Sequence, residues 1–299
     1  MEFSTPYTVF KNKYTGWIFM KKAWFLSLAL TLTLTLTACG SSHADVPTGS
    51  TSPKGNAPQK QEVSAEAADA EAATAAFGRV LWDACQQCRL PDGTELDCTG
   101  GPEGIAQNEF ALFDVDGDSR KELLLNWTNA CMAGMATYIW DYSDGALHQE
   151  LTAFPALTFY DHGVIREDWS HNQGWAGRFW PYFLHVYDPE TDTYQAAGAV
   201  DAWDVTCRPD SFPTDKDQDG DGLLYFLLLT DEDWDRLYGA DDRSVVEAAV
   251  DSPAYEAWRD SILQGGQPVE IPWLPLTPEN ISSVLSCPAP DAPTLEPAG

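Results

Sequence analysis

Residues 110–127 read FALFDVDGDSRKELLLNW, and three aspartates stand at alternate positions inside that run: Asp114, Asp116 and Asp118. Carboxylates so closely spaced repel one another, by on the order of a few kcal/mol per pair at an effective dielectric near 20. A hard divalent cation between them turns that repulsion into attraction. Counted from Asp114, carboxylates fall at positions 1, 3 and 5, the main-chain carbonyl of Arg120 at 7 and Glu122 at 9. A tight turn aims every second side chain at one centre, and a flexible cage of oxygens suits calcium better than magnesium. We therefore expect calcium, held by Asp114, Asp116, Asp118, Arg120 and Glu122. The alternative is an acidic turn that holds no metal.

A second acidic run, 214–222, repeats the spacing with Asp217, Asp219 and Asp221, and Gly222 supplies a sharp turn at position 6. Tyr225 and Leu228 then occupy positions 9 and 12, where oxygens are wanted, and Asp215 could make up the count. This loop reads equally as a weaker metal site or as a solvated acidic turn. A third stretch, 169–182, interleaves Trp169, Trp175 and Trp180 with Asn172, Gln173 and Arg178. Such rings either grip a sugar or peptide or pack the interior. Enzyme signatures are scarce: there is no G-x-S-x-G elbow, no H-E-x-x-H and no phosphate-cradling glycine loop. Glu167, Asp168 and His171 crowd one place, but no nucleophile is tied to them by spacing, and a solvated hairpin end is the simpler reading.

The front of the chain is not part of the fold that must position these groups. Lys21 and Lys22 precede an apolar run, 23–37, too short and too threonine-rich for a membrane span and suited to an export signal. The run closes on Leu36-Thr37-Ala38-Cys39-Gly40. That closure resembles the lipobox of bacterial lipoproteins, which implies cleavage before Cys39 and acylation (palmitate-type chains) of its sulfur. Met20 is then the natural start. Taking away 1–39 removes Glu2, Lys11, Lys13, Lys21 and Lys22, so 17 basic and 46 acidic residues become 13 and 45, a net charge of −32. Such a surface repels nucleic acid and anionic headgroups. The 12 tryptophans exclude a disordered acidic chain. With Cys39 assigned to lipid, six cysteines remain (Cys85, Cys88, Cys98, Cys131, Cys207 and Cys287), and an even number outside the cytoplasm predicts disulfides of open pairing.

Behind the signal, 40–62 is rich in Ser, Pro, Gly and Thr and reads as a flexible tether. An alanine-rich helix follows to about Gln87, with Phe77, Val80, Leu81 and Ala84 on one face. Past the first acidic loop, short β-rich runs at 123–127, 136–142, 147–151, 157–160, 164–169, 178–187 and 193–203 are separated by turns such as Ser143-Asp144-Gly145. Adjacent short strands with tight turns predict an antiparallel meander of about seven strands. The segments 231–237, 243–250, 255–263 and a final turn or two capped by Thr277 read as helices.

The expected architecture is α+β: an antiparallel meander flanked by an N-terminal helix and C-terminal helices, one domain over 63–288, with a disordered tail at 289–299. The first acidic loop departs from the EF-hand, since Ser119 stands at position 6, Leu125 at 12 and a strand follows. It resembles instead the acidic loops of FG-GAP-type β-propeller repeats, which close on a carboxylate at position 9. The segments FALFDVDGDSRKELLL and IPWLPLTPENI further resemble uncharacterised lipoproteins of Gram-positive bacteria. That likeness implies a helix before the loop and a meander after it, and little about activity. The expected function is a monomeric binding or sensory module braced by calcium, lipid-anchored on the extracytoplasmic face of the cell membrane. Its partners would be the membrane through the anchor and a cell-envelope polysaccharide or peptide, not nucleic acid. A hydrolase acting on polysaccharide or peptide, and a purely structural envelope protein, are the alternatives.

Overall fold

The alanine-rich run forms helix α1, Val63–Gln87, whose inward stripe of Ala76, Phe77, Val80, Leu81 and Ala84 is buried as the spacing requires. Cys88, with a left-handed φ of 54°, ends it, and the Cys88–Cys98 disulfide folds the next turn back on the helix. A short helix α2, Gly101–Ile105, leads into the strands. The computed structural model describes residues 63–171, 176–207, 209–239 and 242–286, and those from Ser64 onward group into one unit. The export signal with Cys39, the tether, the stretch Asn172 to Trp175, Cys287 and the C-terminal tail lie outside the described residues.

Strands β1 (Glu109–Phe113), β2 (Glu122–Trp127), β3 (Ala136–Ser143) and β4 (Ala146–Ala153) pair in sequence order, and β11 (Leu274–Pro275) joins the β1 edge. A second sheet continues with β5 (Leu157–Tyr160), β6 (Val164–Asp168), β7 (Tyr182–Asp188), β8 (Thr193–Asp204) and β9 (Leu223–Leu228), with β10 (Pro268–Val269) beside β5. All pairings are antiparallel. The α+β class and the meander are thus as expected, but the chain breaks at Phe154-Pro155-Ala156 and builds two sheets where one was expected. Helices α3 (Asp231–Gly239), α4 (Asp242–Ala248), α5 (Ser252–Leu263) and α6 (Pro278–Leu285) complete the domain. Thr277 caps α6 through the Asn280 amide, and Asp251 caps α5 through that of Ser252. No helix among the described residues is long and apolar enough to cross a membrane.

Three cores among the described residues set out the layers. Helices α1 and α6 meet one face of the first sheet through Phe77, Leu81, Phe110, Leu125, Trp127 and Ile281. The opposite face meets the second sheet through Leu124, Ile139, Leu151, Phe159, Ile165 and Tyr194. The far face of the second sheet, with Tyr182, Leu184, Val200 and Tyr225, packs on Tyr255 and Trp258 of α5. The order is helix, sheet, sheet, helix, and each large buried side chain contributes about 1.5–3 kcal/mol.

Two register slips interrupt the alternation. Between β3 and β4, Ile139 faces Leu151 but Trp140 faces Gln149, so Glu150 has no opposite number. Between β7 and β8, Leu184 faces Gly198 but His185 faces Ala196, which leaves Ala197 over. Each is a β-bulge, and a bulge exchanges the two faces of the strand beyond it. Leu147 accordingly packs on the helix side while Leu151 packs between the sheets; Tyr194 lies between the sheets while Val200 lies outside them.

Candidate metal centre

The first acidic loop joins β1 to β2 and is pinned from its own middle. Val115 is buried between the sheets, its N–H donates to Glu122 Oε2 at 2.7 Å, and its carbonyl accepts from the Tyr194 hydroxyl at 3.0 Å. Around that pin the backbone wraps the carboxylates. Asp114 accepts from the N–H groups of Gly117 (2.8 Å) and Ser119 (3.1 Å), Asp116 from that of Asp118 (2.9 Å), and Asp118 from that of Arg120 (2.7 Å).

The second loop repeats the pattern bond for bond. Asp217 accepts from Gly220 (2.9 Å) and Gly222 (3.1 Å), Asp219 from Asp221 (3.0 Å), and Asp221 from Leu223 (2.7 Å). The sixth position has a left-handed φ in both, 77° at Ser119 and 78° at Gly222. The two loops therefore share one backbone, and only their surroundings differ.

Carboxylate oxygens of Asp114, Asp116 and Glu122 lie within 4.8 Å of one another, and those of Asp116, Glu150 and Asp192 do the same. A third such group joins Asp217 and Asp219 to Asp251. Asp118 and Asp221 stand outside these groups. The Asp118 carboxylate is taken by the Arg120 side chain at 2.7 Å, and that guanidinium also reaches Asp141 at 3.1 Å. The Asp221 carbonyl accepts from Arg178, whose guanidinium also lies 3.4 Å from Asp204.

Burial separates the loops. Glu122 and Glu150 are 0% and 4% exposed, and Glu122 Oε1 and both oxygens of Glu150 have no hydrogen-bond partner among the described residues. Burial pushes both carboxyls up to about 9, against the Val115 N–H at Glu122 and with help from Asp116 at Glu150. Burial also raises Asp116, against the Asp118 N–H and the Tyr187 hydroxyl. In the second loop Asp219 is fully exposed, and the Asp221 N–H lowers its carboxyl. A buried carboxylate with free lone pairs costs several kcal/mol unless a proton or a cation meets it, so the first loop could hold an ion over a buried floor, whereas the second presents its carboxylates to water.

The aromatic stretch is turned largely inward. Trp169 is buried, with ring centroids 5.7 Å from both Phe183 and Trp234, while Trp180 remains exposed and donates its indole N–H to the Trp169 carbonyl at 2.7 Å. Glu167 is not at a solvated hairpin end. It is buried on β6, 2.8 Å from His185, and accepts from the Phe154 N–H at 2.7 Å. Asp168 pairs with Arg166 at 2.7 Å, and the His171 ring lies against Ser170 at 2.9 Å, so the three residues do not converge on one another.

Among the described residues one pair of the expected disulfide set forms, Cys88–Cys98, while Cys85, Cys131 and Cys207 are free thiols. Cys131 precedes the turn between β2 and β3 and Cys207 follows β8, in different sheets, and only closely facing Cβ atoms can be bridged.

Sequence reasoning missed Glu150, Asp192 and Asp251. Alternation from Leu147 and Leu151 puts Glu150 on the outside, and only the bulge turns it in. Asp192 sits in the β7–β8 turn and Asp251 at a helix cap, places where aspartate is ordinary. No family model matches the chain, and no curated protein or solved structure matches it. Fold and site together describe a helix–sheet–sheet–helix domain whose carboxylates gather where the two sheets meet.

Proposed function

We propose that this protein is a monomeric lipoprotein, acylated at Cys39 and held on the extracytoplasmic face of the cell membrane, whose folded part is a calcium-braced binding or sensory module. The observation that carries the calcium reading is Glu122. One of its oxygens fixes the loop through Val115, the other is wholly buried without a partner among the described residues, and the carboxylate comes within 4.8 Å of those of Asp114 and Asp116. Calcium there would take oxygens from Asp114, Asp116 and Glu122, and the Arg120 carbonyl stands at the expected seventh position. The lipobox-like Leu36-Thr37-Ala38-Cys39 run, and the likeness to Gram-positive lipoproteins, support the anchor. A groove lined by Tyr160, Arg166, Arg259 and Asp260 supports the binding half: the guanidinium N–H groups not taken by Asp168 and Asp260 can donate to hydroxyls.

Melting the full chain in chelator and in millimolar calcium tests the reading. At a hundredfold excess over the dissociation constant, binding adds about 2.7 kcal/mol, or roughly 5–10 °C for a domain of this size. Magnesium should do much less, because it demands octahedral geometry and keeps its waters. A melting temperature indifferent to calcium would reduce the loop to an acidic turn. Cys39→Ala should release the protein from the membrane, and unchanged retention would remove the anchor.

A further inference from the structure

An ion in the first loop leaves Glu150 unexplained. The bulge in β4 spends a ladder position to turn this side chain between the sheets, where it is 4% exposed and neither oxygen finds a hydrogen-bond donor. A buried carboxyl without a hydrogen-bond donor has to be neutralised by a proton or a cation, and a cation can be shared with the carboxylates it faces. Its oxygen, one from Asp116 and one from Asp192 lie within 4.8 Å of one another. The three come from separate parts of the fold: the β1–β2 loop, strand β4 and the β7–β8 turn. Asp192 is held in place, with one oxygen accepting from the Tyr187 hydroxyl at 2.7 Å and the other from Ser143 Oγ at 3.0 Å.

We propose that Asp116, Glu150 and Asp192 form a second divalent-cation position, adjoining the first-loop ion and sharing Asp116 with it, which fastens the first sheet to the second. The ligand is a hard, oxygen-seeking ion of the calcium class, since all three donors are carboxylates. Charge favours a pair of ions. Asp114, Asp116, Glu122, Glu150 and Asp192 carry five negative charges when ionised; one divalent ion leaves three uncompensated, and two leave one. Asp116 can bridge because each of its oxygens can face one ion. The first-loop ion orders the β1–β2 loop, whereas the second joins β4 of one sheet to the β7–β8 turn of the other.

The proposal rests on the first-loop reading, because the two ions share Asp116. Equilibrium dialysis of the chelator-stripped full chain against calcium separates them. Glu150→Gln and Asp192→Asn should each bind one equivalent fewer than the parent, or bind that equivalent at least tenfold more weakly. Asp114→Asn should lose the first-loop equivalent. Asp192 lies on a turn and is only half-buried, so its variant keeps the test open should Glu150→Gln fail to fold. If both variants match the parent in number and affinity, the second position is overturned while a loss at Asp114→Asn leaves the first standing. No loss in Asp114→Asn would overturn the first-loop reading and with it the bridged pair.

Discussion

Replacing Glu122 by glutamine separates the two roles assigned to that side chain, an unfavourable buried acid without calcium and a ligand with it. Burial raises its folded-state pKa to about 9 from an ordinary 4.5. Below pH 4.5 folded and unfolded chains both carry the proton, and nothing is lost. Between 4.5 and 9 the folded chain keeps a proton the unfolded chain has released, so stability falls as pH rises. At pH 7 that amounts to about 3 kcal/mol, at roughly 1.4 kcal/mol per pH unit. Glutamine carries no such penalty, still accepts from the Val115 N–H and turns N–H donors toward Asp114 and Asp116. Allowing about 1 kcal/mol for imperfect hydrogen bonding, Glu122→Gln should stabilise the calcium-free protein by about 2 kcal/mol, or roughly 4–8 °C. Calcium should act in the opposite sense. Losing a charged ligand weakens binding at least tenfold, so an increment of about 2.7 kcal/mol in the parent becomes about 1.4 kcal/mol or less at the same calcium concentration. Thermal melts of parent and variant at pH 7, with chelator and with calcium, give all four values. A variant less stable than the parent in chelator, or one with the parent's full calcium increment, would refute the reasoning.

Three further outcomes follow from other parts of the fold. Ser119→Gly should stabilise the protein by about 0.5 kcal/mol, because the left-handed φ of 77° costs serine about 1 kcal/mol and glycine nothing; Gly222→Ala should instead cost more than about 2 kcal/mol, since its Cβ would lie 2.8 Å from Val205 Cγ1, and denaturant melts giving the two equal effects would deny the shared backbone. Asp201 is raised to about 6 by burial, against hydrogen bonds from the Tyr238 hydroxyl and the Ala202 N–H, so its contribution to stability falls by about 3 kcal/mol as pH rises from about 4 to 6 and then stays level. Asp201→Asn should flatten that slope in pH-dependent denaturant melts, and an unchanged slope would place it elsewhere. Alkylation of the unfolded, unreduced chain should label Cys85, Cys131 and Cys207 and find Cys88 joined to Cys98. Reducing that bond, across a separation of 10 residues, should cost on the order of 2–3 kcal/mol, and a protein equally stable after reduction would contradict it.

What the sequence disclosed is what periodicity and loop chemistry can carry. Helix α1 shows in the spacing of Phe77, Val80, Leu81 and Ala84, and the strands show in alternation between turns. The division into two sheets does not show, because Phe154-Pro155-Ala156 looks like any short connection. The bulges do not show either, since an extra residue in a strand has no composition of its own. Glu150 was hidden for that reason: its alternation points outward and its register points inward. The partner of Asp118 did not show either: its place in the repeat is that of a ligand, and in this structure Arg120, two residues on, pairs with its carboxylate. The partner of Cys88 was not legible because parity carries no distances, and Glu167 was misplaced because a polar residue near a turn reads as solvated until His185 is found beside it.

The two loops share a backbone and differ in what lies beneath it. The backbone hydrogen bonds of the second match those of the first, so the aspartates are presented in the same way. The difference begins at the ninth position. In the first loop it is Glu122, the opening residue of β2, and the strand carries its carboxylate beneath the loop and away from water. In the second it is Tyr225, which β9 sets face to face with Tyr255 at 4.2 Å. That ring ties the sheet to α5 and closes the floor where an oxygen would stand. Asp251 lies with Asp217 and Asp219, and its oxygens accept from the Gln218 and Ser252 N–H groups. The carboxylates of the second loop are open to the backbone and water. Glu122 and Glu150 beneath the first are not, and it is this deficit, not the number of aspartates, on which the proposed ion rests.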